Sequence, residues 1–111
     1  MAYEVLYVDE IEDDFIESYL DDVALFSLKD KVERIAQHPK PIILTERILN
    51  TPLRKISYGK YRLFLHVEER TQVIYCLAFK HHNKCYKPEE LKAILTILKN
   101  VNLNDFKTPE D

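Results

Sequence analysis

The 111-residue chain has one glycine, two cysteines, and no apolar run near the roughly 20 residues that span a bilayer. A single glycine excludes a phosphate-cradling glycine-rich loop. The lack of a long apolar run excludes a membrane helix, so no membrane is expected among its partners. The start, Met1-Ala2-Tyr3-Glu4, has neither the basic start nor the apolar run of a signal peptide. The expectation is therefore a cytoplasmic protein. There, Cys76 and Cys85 are expected as reduced thiols, one packed as a small hydrophobe, and not as a disulfide. His82 and Cys85 have a spacing seen in zinc sites, but only Cys76 and distant histidines are left to complete four ligands. Neither a metal nor another cofactor is expected. No Ser-His-Asp arrangement, repeat or low-complexity segment stands out.

The charge that is present is unevenly placed. Net charge is −3, which taken alone argues mildly against a polyanionic ligand. Residues 1–50 hold 12 acids and 5 bases, whereas residues 51–111 hold 7 acids and 11 bases. Between Arg54 and Lys87, 8 bases face only Glu68 and Glu69, with three histidines besides. Such an asymmetry is either a footprint for nucleic acid or an acidic partner, or two halves that neutralise each other in the fold.

Tyr3 to Val8 alternates and reads as a strand. Asp9 follows as a candidate N-cap, with Ile11, Phe15, Tyr19 and Leu20 at helical spacing. A second helix runs from about Asp21-Asp22 to Gln37, with Leu25, Leu28, Val32, Ile35 and Ala36 inward; Ser27 and Asp30 mark a possible late start or bend. His38-Pro39-Lys40-Pro41 ends it, because a residue before proline is driven out of the helical region. Residues 42–50 are ambiguous and fit a short helix. Leu53–Tyr58 is a strand, and Gly59 marks a tight turn that needs a positive φ. Tyr61–Glu68 and Gln72–Lys80 form a hairpin around Glu69-Arg70-Thr71. Pro88 with Glu89-Glu90 opens a last helix carrying Leu91, Ile94, Leu95 and Leu98. The order β-α-α-β-β-β-α gives an α+β fold: a mainly antiparallel sheet with helices packed on one face. The expected domain covers residues 1–101, and residues 102–111 form a polar tail.

Strand alternation puts Tyr61, Leu63, Leu65 and Val67 on the core face and Lys60, Arg62, Phe64 and His66 on the other. If Lys80 shares the Arg62 face, two cations converge beside the small side chains of Cys76 and Ala78, with Lys55 and Ser57 bordering the groove. Cutting RNA without a metal needs a base for the 2′-OH, cations for the phosphorane, and an acid for the leaving 5′-oxygen. Arg62 supplies a planar fork of donors for a phosphate, and Lys55, Lys80 and Lys84 add charge. His81, His82 and Tyr86 are the candidates for proton handling, and an exposed Phe64 is a candidate for stacking an unstacked base. Each has a plainer reading. Arg62, Lys55 and Lys80 are otherwise solvated or ion-paired strand residues, Tyr86 a packing residue, and His38 and His66 structural or solvated.

The segments Leu53-Arg54-Lys55-Ile56, Gly59-Lys60-Tyr61-Arg62-Leu63-Phe64 and Ala78-Phe79-Lys80-His81-His82-Asn83-Lys84-Cys85-Tyr86 carry a resemblance. They are similar to the hairpin and strand-end motifs of the RelE/ParE superfamily of toxins, in its RelE/HigB-like branch. The order of elements matches over nearly the whole chain, and residue-level likeness is concentrated in the C-terminal half. The resemblance implies a RelE-like fold and the toxin of a type II toxin–antitoxin pair, an endoribonuclease (mRNA interferase) acting on ribosome-bound message by 2′-OH attack. It implies catalytic roles for Lys55, Arg62, Lys80, His81 and Tyr86, with Arg54, Lys60, Phe64, His82 and Lys84 touching RNA. It also implies a cognate antitoxin whose acidic, partly helical segment wraps the toxin. The chain departs from the family pattern in three places: His82 for an arginine, Cys85 for a valine and Leu53 for a lysine. Two alternatives stay open: a ParE-type inhibitor of DNA gyrase that cleaves nothing, and an inactive family member.

Overall fold

The computed structural model describes residues 2–83 and 87–106, with side chains as far as residue 101. In chain order the elements are β1 (Glu4–Tyr7), α1 (Glu10–Glu17), α2 (Asp22–Ala36), a 3-10 turn (Pro41–Leu44), β2 (Glu46–Arg47), β3 (Arg54–Tyr58), β4 (Tyr61–Glu68), β5 (Val73–His81) and α3 (Pro88–Phe106). The strands form one sheet in the order β1-β5-β4-β3-β2. β1 runs parallel to β5, and every other pairing is antiparallel.

Local chemistry sets most boundaries. Asp21 is extended and its side chain accepts from the Ala24 N–H at 2.7 Å, so α2 starts there and runs unbroken past Ser27. Asp9 makes no such bond. It already has helical angles and contributes only its backbone carbonyl, to the Glu12 N–H. α1 ends with Tyr19 at φ +54°, a left-handed conformation usually left to glycine or asparagine. Gly59 has φ +59°, as its place in the β3–β4 turn requires. The ambiguous stretch after Pro41 resolves into the 3-10 turn and the two-residue β2, whose shortness hides it from any periodicity. α3 continues to Phe106, five residues past the boundary expected at 101.

The helices divide between the two faces of the sheet. Ile11 and Phe15 of α1 and Leu28, Val32 and Ile35 of α2 pack on Ile56, Leu63, Leu65, Ile74, Cys76 and Phe79. On the opposite face, Ile94 and Leu98 of α3 pack on Leu53, Phe64, Val73, Tyr75, Leu77 and Ala78. Placement on one face thus holds for α1 and α2 and is corrected for α3. The interior strand β5 is buried on both sides from Val73 to Phe79, which is why it reads as a continuous apolar run.

A bulge in β5 changes which of its residues share a face. Phe64 pairs with Ala78 and Leu65 with Cys76, leaving Leu77 as the extra residue. Ala78 therefore stays on the α3 face, while Cys76 and Phe79 lie on the α1–α2 face. The groove expected between Cys76 and Ala78 does not exist. Beyond the bulge, the register sets Lys80 opposite Arg62 and His81 opposite Tyr61.

Candidate functional site

The β3–β4–β5 ladder builds a cationic row at the open end of the sheet. Arg62 lies between Ser57 on β3 and Lys80 on β5. Lys55 is two residues from Ser57 on the same strand, hence on the same face. Arg62 is partly exposed, and its Nη1 donates to the carbonyls of Tyr61 at 2.8 Å and Gly59 at 3.1 Å. The tight turn that needs Gly59 thus also aims the guanidinium. Neither expected acidic neighbour, Glu68 or Glu69, takes part in these bonds.

Lys80 has a different environment. Its Nζ donates to Asp14 Oδ1 at 2.9 Å, and Glu90 Oε1 stands 3.9 Å away. Burial disfavours its charge, but the Asp14 hydrogen bond and the negative charges of Asp14, Glu90 and Glu17 outweigh it and raise the pKa. Asp14 Oδ2 also accepts from the Phe79 backbone N–H at 2.9 Å. β1 ends at Tyr7, paired with Cys76, so at Phe79 the β5 edge has lost its strand partner, and the carboxylate satisfies the donor instead. The sequence reading missed Asp14. Its signal was its position: an acid three residues after Ile11 and beside Phe15 falls on the buried stripe of α1, where a charge needs a partner.

His81 Nδ1 accepts from the Asn83 N–H at 3.1 Å, the His81 ring meets the Tyr61 ring edge-on at 5.5 Å, and it stacks on His82 at 4.6 Å. The His82 N–H donates to the Lys60 carbonyl at 2.8 Å, prolonging the hairpin past the last ladder pair. Arg54 faces away from Lys55, and its guanidinium donates to the Thr45 hydroxyl and, at 3.1 Å, to the Thr45 carbonyl. That arrangement ties β3 to the 3-10 turn. Lys60 is exposed at the hairpin tip.

Phe64 is corrected. It is fully buried in the α3-side core, because α3 covers the face that alternation alone leaves open. A base cannot stack on it. His66 Nδ1 is 3.1 Å from the Pro52 carbonyl and its ring stacks near Tyr75, a structural setting. Lys84 and Tyr86, like Cys85, lie outside the described residues. Cys76 is fully buried, and its thiol pKa is pushed up to about 12, by burial first and then by the Glu33 charge, with Lys29 opposing. Among the described residues no three His, Cys, Asp or Glu side chains are grouped to hold a metal ion, and no helix is long and apolar enough to cross a membrane.

Residues 8–86 match the model of a family described as the ParE toxin of type II toxin–antitoxin system, parDE. No curated protein sequence matches the chain. Among solved structures, it is similar to the free Escherichia coli toxin RelE carrying two arginine-to-alanine substitutions. That match has a TM-score of 0.64 at 18% identity, over 86% of this chain and 97% of that one. The toxin–antitoxin complex RelBE2 of Mycobacterium tuberculosis matches at a TM-score of 0.60 and 15% identity, over 74% of this chain and 93% of that chain. The archaeal RelE–RelB complex of Pyrococcus horikoshii matches at 0.58 and 18%, over 76% and 99%. At such identities the likeness is one of fold.

Proposed function

Because the chain belongs to the ParE toxin family of type II toxin–antitoxin systems, we propose that it is a toxin that acts in the cytoplasm as an endoribonuclease on ribosome-bound mRNA. The observation that carries this reading is the ladder that sets Arg62 beside Ser57 and Lys80, with Lys55 on the same face. Arg62 binds the scissile phosphate through its fork of donors, and Lys55 adds positive charge as the phosphorane forms. Nδ1 of the neutral His81 ring accepts from the Asn83 N–H, and the ring serves as the acid for the leaving 5′-oxygen as the imidazolium, which releases that contact. Tyr86, by the family resemblance, orients the cut nucleotide. The cognate antitoxin covers the Arg62 face with an acidic segment, a role supported by the fold shared with toxins solved in RelB complexes.

The test is incubation with translating ribosomes, followed by mapping of message ends. The proposal expects defined cuts that Arg62→Ala abolishes; intact message would sink it. A second reading, inhibition of DNA gyrase without cleavage, is favoured by the pairing of Lys80 with Asp14, which withdraws one cation from the reaction. Stalled gyrase complexes with intact message would select it.

A further inference from the structure

We propose that the α1–α2 connection, together with the cavity beside it, is a docking surface for a cationic, amphipathic segment of a protein partner. Ile16, Tyr19, Val23 and Phe26 lie within eleven consecutive residues and are between 71% and 91% exposed. The inward side of the same stretch is already used by Ile11, Phe15 and Leu28. Nothing in the described structure covers these four. Single exposed apolar residues need no explanation, but four on one helix–turn–helix tip do.

Charge selects the occupant. Residues 1–28 contain nine acids and no base, the first lysine being Lys29. Glu12, Asp13, Glu17, Asp21 and Asp22 are all exposed around the apolar side chains. A second copy of the chain meeting this surface through the same patch would oppose acid to acid, and nucleic acid or an anionic lipid surface would be repelled. A lysine- or arginine-bearing helix with one apolar face satisfies both the apolar and the acidic halves.

The cavity supplies a specific anchor. It has a volume of about 590 Å³ and its walls include Asp14, Glu17, Tyr19, Tyr61, Lys80 and Glu90. Three carboxylates thus stand against one ammonium, which Asp14 already holds. Glu17 has no ion-pair partner among the described residues. A long cationic side chain would lay its methylenes against Tyr19 and Tyr61 and bring its charge to Glu17 and Glu90. The cavity borders the candidate site, since Lys80 and His81 line it too, but the α1–α2 apolar side chains lie outside that site and the inference does not depend on ribonuclease activity.

The experiment titrates the isotope-labelled full chain with a synthetic 18-residue helical peptide, leucine on one face and lysine and arginine on the other. A control peptide keeps the leucine face and carries glutamate instead. Saturable amide shifts are expected at residues 16–26 and at the cavity wall, with binding at least about tenfold tighter than for the control peptide. Val23→Ala with Phe26→Ala should weaken binding by about tenfold or more, and Glu17→Lys by several-fold, each with an otherwise native amide spectrum. Equal binding of the acidic peptide, shifts confined to the Arg62 face, or no binding would overturn the proposal. So would self-association of the chain that the same substitutions abolish, since the occupant would then be a second copy.

Discussion

The Asp14 carboxylate and the Lys80 ammonium meet at 2.9 Å although 66 positions separate them in the chain. The same carboxylate accepts the Phe79 N–H, so it closes the β5 edge and neutralises a cation of the candidate site together. Removing it leaves a partly buried lysine and an unsatisfied backbone donor. Asp14→Ala is expected to cost about 2–4 kcal/mol in urea unfolding, and Asp14→Asn less, because an amide oxygen still accepts. A loss below ~0.5 kcal/mol for Asp14→Ala would show the contact to be incidental.

Arg62 tests function without confounding the fold. Its guanidinium bonds to the carbonyls of Gly59 and Tyr61, in its own turn. Arg62→Ala should leave the unfolding midpoint nearly unchanged, within about 1 kcal/mol. Growth arrest on expression should be relieved at the same time. Arg62→Lys should restore little of the arrest, because a lysine presents a point charge and no bidentate fork.

Phe64 separates a core residue from a base-stacking one. Fully buried under α3, it should lose about 3–5 kcal/mol on Phe64→Ala and much less on Phe64→Leu. If Phe64→Leu kept stability but removed activity, the side chain would be reaching substrate after all. Retained activity with modest destabilisation is the expected outcome.

The helices, the hairpin and the glycine turn are legible because each has a local cause: helical periodicity, strand alternation, a required positive φ. The cap expected at Asp9 is not made, and the side-chain cap belongs to Asp21 instead. The face shared by Arg62 and Phe64 is legible because side chains of β4 alternate between the two sides of the sheet, Leu63 and Leu65 on one and Phe64 on the other. Alternation in β5 is broken at Leu77, and an extra residue in a strand leaves no mark in an apolar run, so Cys76 and Ala78 were set on one face. The covering of Phe64 by α3, the parallel β1–β5 pairing and the Asp14–Lys80 contact are tertiary events between distant segments. Only the last left a local trace, an acid on an apolar stripe.

Alkaline pH offers a test of the core itself. The Cys76 thiol is held at about 12 against an ordinary 9.0, chiefly because burial disfavours the thiolate. Tyr7 and Lys80 are raised too, so all three groups keep their protons longer in the folded chain than in the unfolded one. The unfolded state therefore binds fewer protons once pH passes about 9, and stability falls as pH rises, by about 1.4 kcal/mol per pH unit for each such proton. Between pH 9 and 10 the thiol acts first, since Tyr7 and Lys80 start from higher ordinary values. Urea midpoints of the native chain should decline across that interval, whereas those of Cys76→Ala, lower at pH 7 from the lost packing, should decline less. Cys85 remains in both chains and cancels from the comparison. Parallel curves for the two proteins would mean that the Cys76 thiol reaches water in the folded state.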